Sequence, residues 1–386
     1  MKYSPFIYGT TVCNEAFINR KSEIKRLVEN LTGGINTTLI APRRWGKSSL
    51  VEKVASAISK SDKNTRVVVI DLFTVSSEEQ FMEKFAREVI RVSSSKWQEW
   101  VKNARSVFKV LIPKINIGID PVNDFSISFD WNEIQKYNDE ILNLPETIAR
   151  QKGIKIIVCI DEFQNIANFH DFESFEKKLR AIWQRQQDVT YCIYGSLRHM
   201  MNDIFNNPSK PFYRFGDIML LQKIERDEWI RFICRSFAKT GKRISNDEAA
   251  RIADLMKCHS WYVQQFAHNI WNLTIDEATK IIIQKALNEL INANTPFYQK
   301  EIETLSSTQV NLIKAVAHGE TRFTSVGVMA EHRLGTPRNV SKNKTLLINK
   351  DIIQAREERF EFVDPAFELW FRQNFLNQPI NNHFKV

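Results

Sequence analysis

The chain of 386 residues is 43% hydrophobic and 26% charged, which excludes a disordered or low-complexity polypeptide and exceeds what one hydrophobic core usually serves. No window approaches the roughly 18 consecutive apolar residues of a membrane span, and the start lacks the basic-then-apolar layout of a secretory leader. Five cysteines without CxxC spacing indicate neither zinc site nor disulfide framework, so a reducing cytoplasm is expected, and the net charge of +9 permits a polyanionic partner without specifying one.

A helix is expected over 21–30. The runs 36–40, 66–73, 154–160 and 189–194 then read as strands buried on both faces, being almost wholly apolar and β-branched rather than alternating. Helical patterns at 47–59, 78–92, about 133–151 and 172–186 separate them, and that alternation implies an α/β fold with a parallel sheet and right-handed crossovers. Residues 93–132, with Trp97, Trp100, Pro113 and Pro121 among short alternating runs, are expected to form an insertion, a helix and a hairpin. Beyond residue 221 the pattern is helical only, with Asn246 and Asp247 as an N-cap signal and 292–305, around Pro296, as a linker. From 306, helices at 306–317, 324–332 and about 337–349 precede a hairpin signal, the winged-helix pattern.

The most specific chemistry lies at Ala41-Pro42-Arg43-Arg44-Trp45-Gly46-Lys47-Ser48-Ser49, where an apolar strand enters a loop that ends in Gly-Lys-Ser and opens a helix. A triphosphate needs inward backbone N–H groups, a helix N-terminus, a mobile cation and a hydroxyl for Mg²⁺. Gly46 lets the backbone approach, Lys47 supplies the cation and Ser48 the hydroxyl. Ala41 stands where the usual pattern has glycine, tolerable only if it avoids positive φ. A second apolar strand delivers Asp161 and Glu162 at its end, expected beside the phosphate loop on a neighbouring strand. Asp161 would hold Mg²⁺ with Ser48, and Glu162 would polarise an attacking water. Ser196, after the strand 189–194, is placed to sense a γ-phosphate or to cap the helix that follows. Arg214 is either an arginine finger or a surface arginine.

The segments APRRWGKSSL, CIDEFQNI, IYGS, KPFYR, SWYVQQFAHNIW and FVDPAFELWF together resemble the STAND-type branch of the AAA+ ATPases, the archaeal/bacterial ATPase group of the MNS clade. The resemblance runs through nearly the whole chain in order. It implies a P-loop core of ASCE/AAA+ type over 1–221, an all-α lid over 222–300 and a winged helix over 301–386. It also implies ATP or ADP as ligand, with a closed ADP state and an ATP state that opens or assembles with a partner or with itself. Phe17 to Ile24 is similar to the family's F-x-x-R-x-x-E segment at the adenine end, which makes Arg20 and Glu23 either nucleotide residues or an ordinary helix start. The family's Gly/His-Pro-Tyr segment reads His259-Ser260-Trp261-Tyr262 here, so Ser260 replaces proline and can cap the helix instead.

Residues 322–350 carry six basic side chains against one acidic, whereas 301–386 as a whole carries eleven against ten. Arg338, Asn339, Lys342 and Asn343 are expected on one helix face, with chemistry suited to double-stranded DNA; a packing or protein-interaction role for the same domain is the alternative. The expected function is a Mg²⁺-dependent switch ATPase with slow turnover. The alternatives are a nucleotide-regulated DNA-binding protein and an interaction protein that binds nucleotide without hydrolysing it.

Overall fold

The computed structural model describes residues 3–12, 17–92, 115–118, 126–129, 138–196, 198–356 and 359–379. They fall in two compact units, Arg20–Gln222, and Lys223–Val386 together with Met1–Asn19. The expected boundary after 221 therefore lies one residue later, and the N-terminal segment goes with the C-terminal unit. Phe6 explains why: its ring packs 5.8 Å from Phe232 and 5.6 Å from Phe237, among the helices after residue 223.

The unit Arg20–Gln222 runs α1 (Lys21–Thr32), β1 (Thr37–Ile40), α2 (Lys47–Ser61), β2 (Thr65–Asp71), α3 (Glu78–Val92), a hairpin β3 (Ile115–Gly118) and β4 (Ser126–Phe129), α4 (Asn138–Lys152), β5 (Lys155–Asp161), a 3-10 turn (Phe163–Asn168), α5 (Phe172–Trp183), β6 (Val189–Gly195), α6 (Arg198–Asn206) and β7 (Asp217–Leu220). Five strands form a parallel sheet in the order β2-β5-β6-β1-β7. β1, β5 and β6 are buried almost throughout, as apolar, unalternating runs require. β2 departs from that expectation: it is an edge strand, and Val69 is exposed. β7 had no strand signal, being four residues with one buried. Of the expected insertion, the hairpin is present; its helix and the residues Trp97, Trp100, Pro113 and Pro121 lie outside the described residues.

Side chains from β2, β5, β6, α3, α4, α5 and α6 share one core. Its aromatic centre fixes the chain just after the acidic pair. Phe163 lies 5.5 Å from Phe212 and 5.8 Å from Phe205, centroid to centroid, and all three are fully buried.

The other unit holds α7 (Arg226–Lys239), β8 (Arg243–Ile244), α8 (Asn246–Leu255), α9 (Ser260–Leu273), β9 (Glu277–Ala278), α10 (Lys280–Glu303), α11 (Ser307–His318), α12 (Val326–Glu331), α13 (Pro337–Asn349), β10 (Ile353–Arg356), β11 (Arg359–Phe362) and α14 (Pro365–Phe375). The N-cap of α8 is Ser245, one residue before the expected Asn246; its hydroxyl accepts from the Glu248 N–H at 3.2 Å. The linker expected at 292–305 is instead the last part of α10, with Pro296 inside it. The helix survives its proline because Tyr298 is buried against Phe367 and Trp370, at 5.2 and 5.5 Å, and its hydroxyl donates to Asp364. Asn294 and Thr295 also donate to the carbonyls of Leu290 and Ile291, one turn back. Helices 223–303 and the winged helix consequently share one continuous core.

Candidate functional site

The turn from β1 into α2 is left-handed at two positions, Arg44 (φ 64°) and Gly46 (φ 89°). Ala41 is not among the positive-φ residues, so its methyl group costs nothing there, as expected. A Cβ on Gly46 would meet nothing within 4 Å; glycine serves the backbone angle, not the space. Ala41, Pro42, Trp45, Lys47 and Ser49 are buried, while Arg43 and Arg44 are exposed. The first-turn N–H groups of α2 form the partial positive charge that a helix N-terminus offers to an anion.

Lys47 is 6% exposed, and its Nζ lies 3.9 Å from Glu162 Oε1. Ser48 Oγ donates to Asp161 Oδ2 at 2.6 Å, and the Glu162 N–H donates to Asp161 Oδ1 at 2.8 Å. These contacts join the loop after β1 to the end of β5, but not by the expected route. β6 lies between the two strands, so the acidic pair reaches across it and is not on the neighbouring strand. β6 uses that position: Ser196, just past its end, is buried and donates to Glu162 Oε2 at 2.8 Å. Gln164 Nε2 donates to the same oxygen, a partner that no spacing rule in the sequence points to.

Burial pushes the Asp161 carboxyl above its usual range, against the opposing pull of Lys47 and the Ser48 hydroxyl. A desolvated carboxylate beside a hydroxyl suits a small hard cation. Among the described residues no group of three or more His, Cys, Asp or Glu could hold a metal, so magnesium would depend on Ser48, Asp161, phosphate oxygens and water. The donor chemistry fits that ion.

Arg20 is turned into the protein. Its Nη1 donates to Glu23 Oε1 and to the Gln222 carbonyl, both at 3.0 Å, and its Nη2 to the Trp45 carbonyl at 3.1 Å. It braces the loop from within. Burial lowers its pKa and Glu23 opposes the shift. Arg214 is exposed at φ 53°, its guanidinium 5.1 Å from the Tyr213 ring; among the described residues no hydrogen bond or ion pair joins it to the cluster. Ser260 belongs to the other unit. It does not cap α9 but is its first residue, and the N-cap is His259.

On α13, Arg338, Asn339 and Lys342 are exposed, but Asn343 is not. Asn343 turns inward, accepts from Gln309 Nε2 at 3.3 Å and donates to Thr308 Oγ1 at 3.2 Å. This corrects the expectation of one shared outer face: Val340, Asn343 and Leu347 form the buried stripe of the helix.

The family described as an ATPase domain predominantly from Archaea matches residues 17–266, and a "Probable winged helix domain" family matches residues 296–373. The Walker-type ATPase PABY2304 of Pyrococcus abyssi superposes with a TM-score of 0.67 at 16% identity, covering 95% of this chain and 99% of that one. The ORC2 protein of Aeropyrum pernix, solved as ADPNP–ADP complexes, gives 0.56 at 13% identity, covering 95% and 98%. At those identities the likeness is one of fold. No curated protein sequence matches the chain, and among the described residues no helix is long and apolar enough to cross a membrane. Because the first family spans residues 17–266, well over half of the chain, the chain belongs to this family of ATPase domains predominantly from Archaea, and it carries a winged-helix domain after it.

Proposed function

We propose that the chain binds ATP with magnesium at the loop 41–49, hydrolyses it slowly to ADP and phosphate, and acts as a nucleotide switch. The observation that carries this reading is the junction of two distant segments, Ser48 with Asp161 at 2.6 Å and Lys47 with Glu162 at 3.9 Å. Burying Lys47 and Asp161 together, with the half-buried Glu162 beside them, is costly without a partner for their charges.

In this reading the α2 amides and Lys47 hold the β- and γ-phosphates, and Ser48 and Asp161 would hold the magnesium ion. Bound there, that ion offsets phosphate charge. Glu162 orients the attacking water through Oε1, the oxygen that Ser196 and Gln164 do not bond and that faces Lys47, once Lys47 has turned to the phosphates. Ser196 senses the γ-phosphate through the same carboxylate. Arg214 supplies transition-state charge, to its own site or to a second copy's. The braces from Arg20 to Trp45 and to Gln222, the last residue of its unit, support a switch in which phosphate occupancy reaches the chain crossing. Arg20 and Glu23 then act on nucleotide indirectly.

Glu162→Gln should keep ATP affinity within about threefold while phosphate release falls by about a hundredfold or more. Lost binding or wild-type release would contradict the reading. A wild type that binds ATP and releases no phosphate would favour the non-hydrolysing alternative.

A second reading, duplex DNA as partner of the winged helix, is favoured by the exposed Arg338, Asn339 and Lys342 on α13. It requires duplex affinity that falls steeply with salt. Affinity indifferent to salt would remove it.

A further inference from the structure

The Gln164 side chain is 2% exposed, so its amide cannot rely on water. Nε2 donates to Glu162 Oε2. Its other end, Oε1, is buried with no hydrogen-bond partner among the described residues and points at Gly195. A Cβ on Gly195 would stand 2.1 Å from that Oε1 and 2.8 Å from Met201 Sδ. Gly195 is not among the positive-φ residues, so the bare α-carbon there provides room, not a backbone angle. An orphaned buried acceptor destabilises the fold, and an apolar side chain of the same size would avoid that. Packing alone therefore does not account for glutamine. Turning the amide over would set Oε1 against the Glu162 carboxylate, so its orientation is fixed by that contact.

We infer that Gln164 is a positioning residue for Glu162, seated in a slot that Gly195 leaves open. With Ser196 it engages Oε2, holds the carboxylate on its left-handed backbone (φ 51°), and turns Oε1 toward Lys47 and the phosphate side, where it works on water. This rests on the ATPase reading above and adds to it the residue that aims the catalytic carboxylate.

The test measures ATP affinity, single-turnover phosphate release and melting temperature for Gln164→Met, a change that keeps volume and removes the donor. The expected result is a rate lower by about ten- to a hundredfold, ATP affinity within about threefold, and an unlowered melting temperature. A purely structural glutamine would instead lower the melting temperature, and affinity and rate would fall together. That outcome overturns the proposal, as does a rate within about twofold of wild type. If Gln164→Met does not fold, Gly195→Ala serves: it should slow release in the wild type and add nothing in a Gln164→Ala background. Independent, multiplying losses overturn the proposal. Glu162→Gln separates this inference from the reading beneath it. If Glu162→Gln still releases phosphate at the wild-type rate, both fall; if it stops release while Gln164→Met does not slow it, only the inference falls.

Discussion

At the loop 41–49 Arg20, Lys47 and Asp161 are all buried, and each is bonded or paired to a distant part of the chain; along α13 Arg338 and Lys342 stand exposed. Desolvating a charge costs far more than leaving it in water, so the first arrangement persists only when its members satisfy one another. The second constrains nothing. A buried polar cluster is thus strong evidence for a specific ligand chemistry, and an exposed basic face is weak evidence for any particular partner.

That contrast predicts unequal costs. Arg20→Met strips the Trp45 and Gln222 carbonyls of a buried donor and should destabilise the core unit by about 3 kcal/mol, read by chemical denaturation. A loss below about 1 kcal/mol would mean the brace is idle. Lys47→Met should weaken ATP binding by about thirty- to a hundredfold, measured by calorimetric titration, and cost less stability than Arg20→Met because Glu162 keeps its bonds from Ser196 and Gln164.

Glu176 extends the contrast because its carboxyl is wholly buried and, among the described residues, no well-formed hydrogen bond holds either oxygen. Burial raises its pKa from 4.5 to about 7; Lys210 and the Phe212 N–H oppose this, while Asp203 and Glu173 reinforce it. Between those pH values the folded state keeps a proton that the unfolded state loses, so stability falls as pH rises from about 4.5 to about 7. Glu176→Gln should therefore melt higher than wild type above pH 7, the gap closing toward pH 4.5. The smallest effect belongs to the exposed face. Arg338→Glu with Lys342→Glu should leave melting and ATP binding unchanged and reduce the salt dependence of any duplex binding by about one unit per lost phosphate contact.

Much of the core was legible because its signals are local. Apolar runs marked β1, β5 and β6, and Gly46-Lys47-Ser48 sits where one of them meets a helix. Strand order was not, since nothing in the runs says that β6 separates β1 from β5. At 292–303 Pro296 and its polar neighbours weigh locally toward a linker, whereas Tyr298 and its partners at 364–370 decide for helix from a distance. Gln164 was missed for the same reason. Its meaning depends on a bare α-carbon 31 residues later, at Gly195, that only the folded sheet brings to it. Spacing alone groups Asn343 with Arg338, Asn339 and Lys342, although Val340 and Leu347 already fix the inner stripe of α13.

The most direct measurement is a crystal structure of the Glu162→Gln protein grown with ATP and magnesium. The triphosphate should lie in the turn 42–48 with Lys47 Nζ on its outer phosphates, and the cation should sit on Ser48 Oγ, beside Asp161. Nucleotide bound elsewhere, or an ordered triphosphate whose cation does not touch Ser48 Oγ, would contradict the account.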